Sequence, residues 1–122
     1  MIFAMPTLTI ANGASVSNVI GSRGLSEGNL FEELRSLSIH GPAAVAGVVT
    51  VEVADVEPDV AAAGDFRTLQ SSGADVVVTV DDTTVITQFA FKSLRLATDT
   101  APGVGGEVYD VTGAEEASAR IW

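Results

Sequence analysis

The chain has 122 residues, no cysteine, and six Lys or Arg against sixteen Asp or Glu, a formal charge of −10. That length bounds it to one domain with one core, and the missing thiol excludes disulfides, thiolate metal sites and a cysteine nucleophile. The acidic excess argues against nucleic acid and anionic membrane as partners, because both attract Lys and Arg and repel carboxylates.

Hydrophobic residues make up 47% of the sequence, yet no run approaches the ~18 uninterrupted apolar residues of a membrane span. The N-terminus lacks the basic flank of a signal peptide, so a soluble protein made in the cytoplasm is expected. The 17 Val and 11 Thr are branched at Cβ and suit a pleated, half-buried surface better than a helix. Turn residues recur at a spacing that leaves room for short strands and few long helices.

In chain order the expected strands are 6–11, 15–20, 31–40, 47–54, 65–70, 76–81, 84–91, 92–98 and 106–112. Within "SLSIHGP" the period-two pattern puts Leu37 and Ile39 on the buried face and Ser36, Ser38 and His40 on the other, before Gly41-Pro42 turns the chain. In "VVTVEV", Val49, Val51 and Val53 share the inner face. Val76, Val78 and Val80 do the same in "VVVTV", and Asp81-Asp82 then predicts a hairpin over 76–90. Phe89 and Phe91 have opposite parity to Leu94 and Leu96, which predicts a β-bulge near Lys92-Ser93 or an oligomer partner covering the outer face. The segments 21–29 and 54–64 read as surface loops, and "AEEASAR" at 114–120 reads equally as a short helix or as a terminal strand or arm. Short strands at this rhythm predict an all-β class, a sandwich or a barrel.

Chemistry finds little purchase. His40 is the sole imidazole, and no Gly-x-Ser-x-Gly elbow accompanies it. Zinc would need more His or Cys than the chain owns. Asp55, Glu57 and Asp59 begin the spacing of a calcium loop, but Val60 stands where its Gly is required and Phe66 where its bidentate Glu belongs. "GVGG" at 103–106 lacks the Lys of a phosphate loop and precedes a strand, so it reads as an inter-strand loop. Carboxylate pairs are too abundant to diagnose a glycosidase. Tyr109 and Trp122 are the aromatics a carbohydrate-binding module could present, since Phe usually stays in the core. The expectation is a protein without enzymatic activity, cofactor or metal.

Three phrases, "SLSIHGPAAVAGVVTVEV", "DFRTLQSSGADVVVTV" and "FAFKSLRLATDTA", together resemble small β-sandwich proteins encoded among the virion genes of tailed bacteriophages. The resemblance spans about residues 35 to 112 and departs at "ADVEPDVAAAGDF", where a short Asp/Gly turn followed by an aromatic would be usual. It implies a structural virion protein, foremost a capsid decoration or cement protein on the outer capsid surface. A tail, neck or fibre-attachment component is the alternative within that class, and a carbohydrate-binding module the alternative outside it. The implied partners are the major capsid protein and further copies of the chain, with a trimer suited to three-fold sites of an icosahedral shell. The whole chain, 1–122, is expected to be one antiparallel β-sandwich of jelly-roll type with about eight strands and with extended arms at 1–12 and 113–122. Candidate capsid or subunit contacts are Ile2, Phe3, Met5, Glu57, Pro58, Ile121 and Trp122, selected because apolar termini and loops need cover.

Overall fold

Alternating apolar and polar residues need a partner layer on one face only, and the fold supplies it by stacking two sheets. The computed structural model describes residues 2–21, 34–58, 60–87 and 91–115. Its strand segments are β1 (Ile2–Ala4), β2 (Leu8–Ile10), β3 (Ile20–Gly21), β4 (Leu34–His40), β5 (Val49–Ala54), β6 (Arg67–Thr68), β7 (Gln70–Ser71), β8 (Ala74–Asp75), β9 (Val77–Val78), β10 (Thr83–Ile86), β11 (Ser93–Thr98) and β12 (Glu107–Glu115). The helical content among the described residues is one 3-10 turn, Ala63–Asp65.

The first sheet has the order β1-β12-β4-β10, with β2 also lying along β12. In the second the order is β3-β11-β5-β6, with β9 also lying along β5. Every ladder is antiparallel. The pairings nest: β1 and β2 with β12, β3 with β11, β4 with β10, and β5 with β6 and β9. The chain is therefore one long hairpin, with its tip between β5 and β6, rolled so that successive pairs fall alternately in the two sheets. The ladders β12–β4 and β11–β5 join the turns of the roll. This is the jelly-roll winding expected from the sequence.

There are more segments than the eight strands expected, because two edges are interrupted. Pro6, which has no N–H to give a ladder, stands between β1 and β2. On the other sheet, Leu69 N–H donates to Val51 O, Val51 N–H to Val76 O and Val76 N–H to Leu69 O, and the hairpin β7–β8 leaves the edge between Leu69 and Val76. Ser72 and Gly73, both with positive φ (55° and 81°), form its tight turn.

Between the sheets lies one apolar cluster. Leu8, Ile10, Leu37, Ile39, Ile86, Tyr109 and Val111 come from the first sheet, and Ile20, Val49, Val51, Val53, Val78, Leu94 and Leu96 from the second. Burying each such side chain contributes about 1.5–3 kcal/mol. The inward assignments of Leu37, Ile39, Val49, Val51 and Val53 agree with this core.

Two expectations require correction. The hairpin over 76–90 does not form within one sheet: β9 pairs with β5, whereas β10 pairs with β4. The Asp81-Asp82 turn is a corner that carries the chain between sheets, held where Gly41 N–H donates to Asp82 O and Asp81 N–H to Pro42 O. Val80 belongs to this corner and is 46% exposed instead of inward. The expected bulge fits at Lys92-Ser93: Ala54, which pairs with Ser93, also accepts from Lys92 N–H at 2.9 Å, so two residues oppose one of β5, and Phe91 packs in the core with Leu94 and Leu96 despite its opposite parity. On the face of this ladder away from the core, Ser93 and Ala54 are also buried, Ser93 Oγ donating to Val56 O of the 55–58 loop at 2.6 Å. Of the alternatives for 114–120, the strand holds at its start: β12 runs through Ala114 and Glu115, with a register shift between them, and residues 116–120 lie outside those described.

Candidate functional site

The roll gathers loops 11–14, 41–48, 79–82 and 99–106 at one end of the sandwich. Gly13 N–H donates to Pro102 O, and Asp99 N–H to Val48 O. The fit is close at the corner: a Cβ on Gly41 would lie 1.9 Å from Thr79 O. Within this loop end, segments 43–45 and 47–48, with Val77, Val78, Thr79 and Val80, line a shallow groove of about 420 Å³. Its floor continues the β5–β9 pair, where Val49 opposes Val78. Val48, Val77 and Val80 are 53%, 39% and 46% exposed, and Val104, at the tip of the Gly-rich loop, is 98% exposed.

One wall of the groove is tied to the core. Glu107 is buried on the inner face of β12, where its Oε1 accepts from Tyr109 Oη at 2.8 Å and its Oε2 from Ala46 N–H at 2.7 Å. A buried carboxylate needs such donors, and here they fasten the 43–48 loop to the end of the first sheet. Burial, then the hydrogen bond and charge of Glu107, hold the Tyr109 phenol well above its ordinary value of 10.0. Fully buried, Tyr109 cannot present its ring to a sugar, which corrects the expectation that it could serve a carbohydrate-binding surface.

Acidic groups edge the groove. Asp99 Oδ1 accepts from Val48 N–H at 2.8 Å, and Asp82 Oδ2 from Thr79 Oγ1 at 3.3 Å. Asp81 follows Val80, and all three carboxylates are exposed. The described cationic positions Arg35, Arg67, Lys92 and Arg95 lie toward the opposite end. Arg67 and Lys92 flank the far end of β5, where Arg67 pairs with Val53 and Lys92 N–H donates to Ala54 O. Arg95 is committed, donating to Glu52 at 2.8 Å while its guanidinium lies 4.1 Å from the Phe66 ring centroid.

The sequence-selected contact residues occupy that opposite end or the interior. Ile2 and Phe3 lie in β1, with Ile2 opposite Ala114 near the far end of β12. Glu57 and Pro58 are half-buried in the 55–58 loop, where Pro58 sits so close to Gly21 that a Cβ there would be 2.2 Å from Pro58 Cγ. Met5 is 7% exposed and packs in the core. Ile121 and Trp122 lie outside the described residues. Asp55, from the calcium-like spacing, faces Arg67 at 3.2 Å, and Asp59 is not among the described residues.

His40 sits on the outer face of the first sheet, its Nδ1 2.9 Å from Thr83 Oγ1 and its Nε2 3.3 Å from Thr112 Oγ1. Both ring nitrogens meet threonine hydroxyls; Asp110, directly opposite His40 in the β12–β4 ladder, is not among their partners, and neither hydroxyl is part of a triad. Among the described residues no group of three or more His, Asp or Glu is arranged to hold a metal ion. The groove residues Val48, Val77 and Val80 were missed at the sequence level. The available signal was surplus valine: Val48 and Val77 occupy polar-face positions in otherwise alternating strands.

No protein-family model matches the chain, and neither a curated protein nor a solved structure matches it significantly.

Proposed function

We propose that this protein is a non-enzymatic structural component of a tailed-bacteriophage virion, a decoration or cement protein that binds the outside of the head shell and stabilises it. The observation that carries this function is the jelly-roll winding of a chain whose strand phrases resemble virion β-sandwiches, since jelly rolls recur among viral capsid domains. The charge of −10 fits a position outside the shell, away from packaged DNA that would repel it. A protein that binds the assembled shell but not its separated subunits shifts the balance toward assembly by mass action. The partners are then the major capsid protein and further copies of this chain, a trimer matching a three-fold site.

The test mixes purified full-length protein with heads stripped of decoration. Co-sedimentation and an increased temperature of head disruption are expected. Binding to tail parts but not to heads would replace cement by a tail or neck role, and binding to neither would overturn the virion assignment.

A further inference from the structure

We infer that the groove at the loop end docks an extended protein segment whose apolar side chains are flanked by Lys or Arg. Three observations converge. The groove is about 420 Å³ and lined almost wholly by Ala and Val, with the Thr79 hydroxyl side chain among them. A small-molecule site of that volume would use several convergent polar groups to orient its ligand, and this lining does not provide them. Exposed apolar surface with a polar rim is instead characteristic of protein or membrane contacts.

Charge chooses between those two. Asp81, Asp82 and Asp99 edge the groove, two of them bonded directly to groove-lining residues, and no Lys or Arg occurs in loops 41–48, 79–82 or 99–106. This rim repels an anionic lipid surface, whose recognition runs through clustered basic residues, and it attracts a cationic peptide. These aspartates also shape their own turns, which explains their bonds to Val48 N–H and Thr79 Oγ1. Turn formation does not explain the exposed Val48, Val77 and Val80 beside them. Glu107 adds rigidity by holding Ala46, and thus one wall, in place before a partner arrives.

This docking site stands whether or not the partner is a capsid protein, and its test needs no capsid. The full chain, labelled for amide NMR, is titrated with two synthetic peptides sharing a Val-Leu-Val-Leu-Val centre, one flanked by lysines and one by glutamates. Shifts confined to segments 43–48 and 77–82 are expected with the lysine peptide, which binds about tenfold more tightly than the glutamate peptide and weakens as salt rises. Val80→Asp and, as a milder surface change, Val48→Thr each weaken binding several-fold, and Asp81→Asn reduces the preference for lysine. Equal affinity for both peptides, shifts elsewhere, or unchanged binding by both valine variants would overturn the inference. So would the same amides responding instead to phosphatidylcholine vesicles or to protein concentration alone, which would give the groove to lipid or to a second copy. Loss of head binding by the wild-type chain in the earlier assay would remove the cement role and leave this result untouched.

Discussion

Replacing Glu107 by alanine removes the one acceptor shared by Tyr109 Oη and Ala46 N–H. The phenol is fully buried, so its hydroxyl is left without a partner, at about 1–3 kcal/mol. The Ala46 amide lies nearer solvent and regains a water, but its charge-assisted bond is lost. Together the loss of stability comes to about 2–4 kcal/mol, or a fall of roughly 8–16 °C in Tm at about 4 °C per kcal/mol for a domain of this size. Urea unfolding followed by circular dichroism measures the first quantity, and hydrogen exchange at Ala46 reports the release of the 43–48 loop. Glu107→Gln keeps an acceptor for Tyr109 but turns a donor toward Ala46, so about half the loss is expected. The pair Glu107→Leu with Tyr109→Phe removes both partners of the buried bond and falls short of the sum of the single changes. A loss below about 0.5 kcal/mol for the alanine variant, or unchanged exchange at Ala46, would refute the clamp, because surface substitutions without such a role stay within that range.

The remaining predictions concern other parts of the roll. Gly41→Ala places a methyl 1.9 Å from Thr79 O, a backbone atom that cannot rotate away; this variant should unfold at markedly lower urea, and a wild-type midpoint would refute the close approach. Because folding raises the Tyr109 pKa above 10.0, the unfolded chain releases that proton first as pH rises. Stability should therefore be complete below pH ~10 and decline above it, and Tyr109→Phe should flatten that alkaline slope in pH-dependent melts. His40→Gln retains a group able to bond Thr83 or Thr112, so stability within about 0.5 kcal/mol of wild type and unchanged assembly are expected. Turnover lost with that substitution, in any assay where the wild type is active, would restore a catalytic role to the imidazole.

Much of the sandwich is written in short-range pattern. Leu37 and Ile39, or Val49, Val51 and Val53, need only their own spacing to declare an inner face, because successive side chains in a strand must point opposite ways. The same logic located Ser36, Ser38 and His40 on the outer face, and the absence of supporting groups around one histidine already weakened a catalytic reading. The candidate site was less legible. Val48 and Val77 signalled it only as apolar residues at polar-face positions, and nothing local indicated that they would meet Val80 across a corner. Tyr109 could be placed on a strand, but its disappearance beneath the surface depends on the facing sheet.

What the sequence by itself determined is the all-β class, the faces of its longer strands and an acidic surface, since each follows from residue type and a period of two. Tertiary structure alone decided the partners. It split 76–86 between two sheets, buried Ser93 and Ala54 beside the 55–58 loop, and brought 43–48, 79–82 and Asp99 to one end. Strand pairing joins residues far apart in the chain and is chosen by the packing of the whole roll. A local pattern can state which way a side chain points, but not what it will face.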